Sequence, residues 1–154
     1  MKGLKTALLG ITVVAALAFA GVGAGVASSG SSARPAAVAT GSSALGRIVV
    51  DGRGHTLYLF EKDRHGTSAC SGVCLVYWPP LLTSKMATAT KGAKPSLLGS
   101  IRRADGTRQV TYAGHPLYFF SGDARRGQAN GEGLKDFGAA WYALTPSGKT
   151  IDRD

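Results

Sequence analysis

The sequence predicts a mainly β fold, a small antiparallel β domain made of two related halves with little helix. Three observations carry the prediction. The first is a phrase written twice, sixty residues apart. Gly54-His55-Thr56-Leu57-Tyr58-Leu59-Phe60 runs on to Asp63, and Gly114-His115-Pro116-Leu117-Tyr118-Phe119-Phe120 runs on to Asp123. A repeat at fixed period marks a duplicated supersecondary unit whose copies pack together. The second is a series of β-branched and aromatic runs separated by turn signals, with strands recurring every ~8–12 residues. The third is the content of 22 glycines together with few helical signals.

From the N-terminus, Lys2 and Lys5 precede an uncharged apolar run, Ala7 to Ala20, and small residues follow it. This is the layout of a secretory signal peptide, expected over residues 1–27 with cleavage after Ala20, Ala24 or Ala27. The Ala/Gly content makes the run only mildly hydrophobic, which argues against a retained membrane anchor. Residues 28–44, SSGSSARPAAVATGSSA, read as a flexible linker, since they offer little apolar surface to bury. Residues 45–154 then form one small domain with one core.

Within that domain, Arg47 to Val50 is a β-branched strand and Asp51-Gly52-Arg53-Gly54 a turn. His55 to Phe60 follows as a strand, with Leu57 and Leu59 on one face and Tyr58 and Phe60 on the other. Both faces are apolar, so this strand should be central and covered on both sides. Cys74 to Trp78 suits a short helical turn, stopped by Pro79-Pro80. Asp105-Gly106 is a hairpin signal joining Ser100–Ala104 to Arg108–Tyr112. Ala113-Gly114 is a tight turn before a strand over Pro116 to Phe120. Trp141 to Leu144 is the last clear strand, closed by a turn at Pro146-Ser147-Gly148, with Lys149–Ile151 as a possible edge. Tyr58 and Tyr118 should be buried with their hydroxyls hydrogen-bonded.

Net charge is +9, and +7 without Lys2 and Lys5. For an exported protein this excess suits anionic lipid or cell-wall polymer rather than nucleic acid. The basic residues, Lys62, Arg64, Arg102, Arg103, Arg108, Arg125 and Arg126, are scattered in turns and pairs and read as a solvated surface. Cys70 and Cys74 are the only cysteines. Outside the cytoplasm such a pair is expected to form a disulfide, a local staple worth roughly 2 kcal/mol in the chain-entropy model.

His55 and His115 occupy equivalent positions in the repeats. If the copies met face to face, these two with Asp63 and Asp123 would make a His/carboxylate metal site. The simpler reading gives the histidines to the turns and the aspartates to backbone amides of the following loops. Gly127 to Gly133 is glycine-rich but lacks the strand and amphipathic helix of a phosphate-binding loop. Ser147-Gly148-Lys149-Thr150 lacks the leading glycine of a P-loop, since Ala143 stands there. No Gly-x-Ser-x-Gly elbow and no Cys-x-x-Cys-His haem attachment occur, so neither an enzyme nor a cofactor is expected.

The duplicated Tyr-x-Phe-x-x-Asp, the Cys70/Cys74 pair and Trp78-Pro79-Pro80 resemble a bacterial family of predicted lipoproteins, also called the secreted repeat of unknown function. The resemblance covers about residues 45–148. Tyr58, Phe60 and Asp63 fill the family motif in the first copy, and Tyr118, Phe120 and Asp123 in the second. The lipidated cysteine of many relatives has no counterpart, because no Cys precedes position 70. The resemblance implies an extracytoplasmic domain and brings no reaction with it. Together these features predict a secreted or envelope-associated, non-enzymatic binding module, with an envelope metal or redox protein as the alternative.

Overall fold

The computed structural model describes residues 34–64 and 66–151. The predicted signal peptide lies outside the described residues. The first strands are β1 (Ala37–Ser43), β2 (Gly46–Asp51) and β3 (Tyr58–Phe60). A short helix α1 (Cys74–Tyr77) and strand β4 (Thr88–Ala89) follow. After a 3₁₀ turn at Pro95–Leu97 come β5 (Leu98–Arg102), β6 (Arg108–Tyr112) and β7 (His115–Pro116). The last two are β8 (Lys135–Asp136) and β9 (Ala139–Ala143). Among the described residues they form three small sheets, ordered β2-β1-β4, β3-β9-β8 and β5-β6-β7. All pairings within the sheets are antiparallel except β1 with β4. No helix among the described residues is long and apolar enough to cross a membrane.

The linker expectation is corrected from residue 37 onward. β1 pairs with β2 from Val38↔Asp51 to Ser43↔Gly46, and Val38, Ala39 and Thr40 are buried. The same small residues that suggested a linker allow a close approach here. A Cβ on Gly41 would lie 3.2 Å from both Val50 methyls. The ordered domain therefore begins before Leu45, and composition misled because a few buried apolar residues in register suffice to hold a strand.

The two-faced strand is found as expected. Tyr58 and Phe60 face one apolar cluster with Ile48, Val50, Trp78 and Trp141. Leu57 and Leu59 face a second with Val49, Val110, Tyr112 and Leu144. Complete burial of each such side chain stabilises the fold by roughly 1.5–3 kcal/mol. The Asp105-Gly106 turn joins β5 to β6, with Gly106 at φ +83°. Ala113 and Gly114 form the tight turn between β6 and β7 at φ +50° and +82°. The helical turn ends before Pro79-Pro80, and Cys70 and Cys74 are joined in a disulfide beside it.

Regular pairing over Pro116 to Phe120 is shorter than predicted. Beyond Pro116 the chain stays extended but divides its bonds. Tyr118 pairs with Tyr58, while the Phe119 amide donates to the Pro79 carbonyl. Likewise regular pairing of the first copy's strand begins only at Tyr58, with Thr56 bridging back to Val50.

Candidate functional site

The two motif copies meet at their tyrosines. The Tyr58 amide donates to the Tyr118 carbonyl at 2.8 Å, and the Tyr118 amide returns the bond at 3.0 Å. An antiparallel pair between equivalent residues places a local pseudo-two-fold axis between them. Across it the motif side chains exchange partners. The Tyr58 hydroxyl donates to Asp123 Oδ2 at 2.6 Å, and the Tyr118 hydroxyl donates to Asp63 Oδ2 at 2.8 Å. Each aspartate uses its other oxygen on the loop that follows it. Asp63 Oδ1 accepts from the Ala69 amide at 2.7 Å, and Asp123 Oδ1 accepts from the Asn130 amide at 2.8 Å. The motif is thus a reciprocal clasp, each tyrosine closing the other repeat's loop.

The aromatic residues follow the same exchange. Phe60 stacks on Trp141 with ring centroids 4.0 Å apart, Trp141 on Trp78 at 3.9 Å, and Trp78 against Phe120 at 4.5 Å. Each phenylalanine of the motif therefore covers the tryptophan of the other repeat. Tyr58 meets the Trp78 ring edge-on, and Tyr118 does the same to Trp141. Such pairs add ~0.5–1.5 kcal/mol each beyond the area they bury. Trp141 Nε1 donates to the Asp136 carbonyl at 3.2 Å, whereas buried Trp78 Nε1 has no hydrogen-bond partner among the described residues.

Burial raises both phenols well above the ordinary tyrosine range, Tyr58 being raised further by its bond to Asp123. For Tyr118 the Ser68 hydroxyl opposes that rise and the Asp63 charge adds to it. Burial likewise pushes the Asp63 carboxyl above its usual range, opposed by the Ala69 amide, the Tyr118 hydroxyl and the charge of Arg103.

Arg103 is the residue that sequence reasoning misplaced. Instead of joining a solvated basic surface it is buried. Its guanidinium donates to Gln109 Oε1 at 2.6 Å, to the Cys70 carbonyl at 2.7 Å and to Ser68 Oγ at 2.9 Å. Ser68 Oγ lies 2.6 Å from the Tyr118 hydroxyl, so Arg103 supports one half of the clasp from behind. The available signal was Gln109, a polar residue inside a β-rich run, because a buried amide needs a partner.

The histidines are not brought together with both aspartates. His55 lines a cleft of about 220 Å³ with Asp123. His115 lines a separate one of about 220 Å³ with Asp63. The exchange of partners explains this, since each His sits beside the other repeat's Asp. No group of three or more His, Cys, Asp or Glu side chains that could hold a metal ion exists among the described residues. The four-residue metal set of His55, His115, Asp63 and Asp123 therefore does not form as one centre.

Two further surfaces are concave; the sequence offered Arg102 and Arg108 of the first only as scattered surface charge and the glycine-rich loop of the second only as a rejected phosphate loop. A shallow, open cleft of about 560 Å³ is lined by Arg34, Arg102 and Arg108 together with Thr83, Ser84 and Thr107, the two threonine hydroxyls donating to the Lys85 carbonyl and to Asp105 Oδ1. Arg102 and Arg108 are direct cross-strand partners at the end of the β5–β6 hairpin. Like charges in that relation are destabilising. On the second surface, a groove of about 820 Å³ has the glycine-rich loop as one wall and Glu61 and Tyr142 among its other lining residues.

A family model described as a secreted repeat of unknown function matches residues 39–82 and 99–145, one match for each half and together more than half of the chain. That description supports an extracellular location. No curated protein and no solved structure matches the chain. The repeats that exchange their Tyr and Asp partners are thus those of a known sequence family, and the chain belongs to the secreted repeats of unknown function.

Proposed function

We propose that this protein is a secreted, non-enzymatic binding module that holds phosphodiester-bearing envelope material, wall polymer or lipid headgroup, in the arginine cleft. The observation that carries the reading is the facing pair Arg102 and Arg108, joined in one cleft by Arg34 with no carboxylate in the lining. An arrangement that repels itself when empty is relieved when an anion enters. Arginine presents planar donors that fit phosphate oxygens, and the Ser84 hydroxyl lines the same cleft. The basic excess, +7 without Lys2 and Lys5, draws anionic surfaces toward the protein. The motif tyrosines and aspartates are engaged with one another and with loop amides, which suits a structural clasp rather than a catalytic group.

Co-sedimentation with isolated wall polymer, and separately with phosphatidylglycerol vesicles, tests the reading and separates the two sources. Binding to one of them should weaken steeply with salt and fall by roughly tenfold or more in the Arg102→Gln/Arg108→Gln double variant. Salt-independent binding, or full binding by the double variant, would contradict it.

A further inference from the structure

We infer that the groove beside the glycine-rich loop is a carbohydrate-binding site, separate from the arginine cleft and able to hold a neutral oligosaccharide segment. Its volume, about 820 Å³, falls within the range of pockets that enclose small ligands. Its loop wall is fixed in place despite the glycines. The Gly131 amide donates to the Tyr58 hydroxyl at 3.2 Å, the Asn130 amide to Asp123 at 2.8 Å, and the Gly127 amide to the Gly54 carbonyl at 3.3 Å. The motif clasp therefore pre-organises this wall, which limits the ordering a ligand must impose.

The lining chemistry selects the ligand class. Glu61 and Glu132 would repel an anion, so the groove does not duplicate the cleft. A purely apolar ligand would strip water from carboxylates and amides without replacing their hydrogen bonds. A metal ion lacks a sufficient set of ligands among the described residues. A polyol meets the lining on every count. Carboxylates accept from sugar hydroxyls, and Glu132 is oriented by the Ala143 amide at 2.7 Å. Gln128 Oε1 accepts from the Arg125 amide, which leaves its NH₂ group as the donor of that side chain. Half-buried Tyr142 adds an aromatic ring to the lining, a surface for the C–H face of a sugar.

The test is an amide NMR titration of the full exported protein with two neutral probes, a β-1,4-linked N-acetylglucosamine tetramer and an α-1,4-linked glucose tetramer. At least one should give saturable shifts centred on residues 127–133 and Tyr142, with a midpoint insensitive to salt. Glu61→Gln, at an exposed position, should weaken that binding roughly tenfold, as loss of one charge-assisted hydrogen bond does. Tyr142→Leu, which keeps an apolar side chain in β9, should weaken it as well. The Arg102→Gln/Arg108→Gln variant should bind the sugar unchanged, so failure of the anion reading leaves this one standing. No saturable shift in the groove with either probe at millimolar concentration overturns the proposal. Undiminished binding by the folded Glu61→Gln variant does so too.

Discussion

The exchanged clasp makes a quantitative prediction that a within-repeat arrangement does not. In Tyr58→Phe the hydroxyl that donates to Asp123 at 2.6 Å is lost, and the buried Gly131 amide loses its acceptor. A hydrogen bond to a charged group contributes ~1.5–3 kcal/mol, and an orphaned buried donor costs ~1–3 kcal/mol. The single variant should therefore lose about 3 kcal/mol, a large fraction of a small domain's stability. Asp123→Ala removes the same tyrosine contact together with the Asn130 amide bond, and exposed Asn130 can turn to water. A double-mutant cycle on Tyr58 and Asp123, read by equilibrium urea unfolding, should give a coupling of ~2 kcal/mol. The parallel cycle on Tyr58 and Asp63, the pair within one motif, should give less than ~0.5 kcal/mol because no bond joins them. A larger coupling for Tyr58 with Asp63 than with Asp123 would refute the exchange.

Three further outcomes follow from the same geometry. Gly131→Ala would bring a Cβ within 2.8 Å of the Trp78 ring and 3.0 Å of Tyr58, and calorimetry should show destabilisation of ~1–3 kcal/mol. Alkaline stability should fall once pH passes 10, the ordinary tyrosine value, because the raised phenols keep protons that the unfolded chain releases. That contribution is whole well below pH 10 and is lost above it at a slope that rises toward ~1.4 kcal/mol per pH unit per tyrosine, so about 2 kcal/mol for both between pH 10 and 11; flat stability over that interval would contradict it. Phe137, at φ +58° in the β8–β9 turn and partly exposed, should be replaceable by Asn with a rise in midpoint temperature, since Asn tolerates that conformation at lower cost.

Much of this fold was legible wherever the deciding information was local. The alternation of Leu57 and Leu59 with Tyr58 and Phe60 required a strand covered on both faces, and the two core clusters lie on those faces. Turn chemistry located the β5–β6 hairpin, and Pro79-Pro80 marked the end of α1. The repeat implied that its copies meet, and Tyr58 and Tyr118 do so through paired backbone bonds. Which aspartate each tyrosine holds was not legible, because both choices satisfy the same motif and only the packing of the halves selects one. Nor was the burial of Arg103, whose partners Ser68 and Cys70 lie in a loop more than thirty residues earlier in the chain. β1 escaped notice because Ala, Gly, Ser and Thr read as linker until a partner strand supplies the register. The arginine cleft is likewise a product of registry, since Arg102 and Arg108 face each other only once the hairpin closes.

In the proposed function the motif residues build the domain and the arginines meet the ligand. Isothermal titration with poly(glycerol phosphate) tests this most directly, comparing the wild type, Tyr58→Phe and Arg102→Gln/Arg108→Gln at a temperature where all three are folded. Tyr58→Phe should bind like the wild type, while the double arginine variant should bind at least tenfold more weakly. Loss of binding by folded Tyr58→Phe, with the arginine variant unaffected, would move the site into the motif and contradict the account.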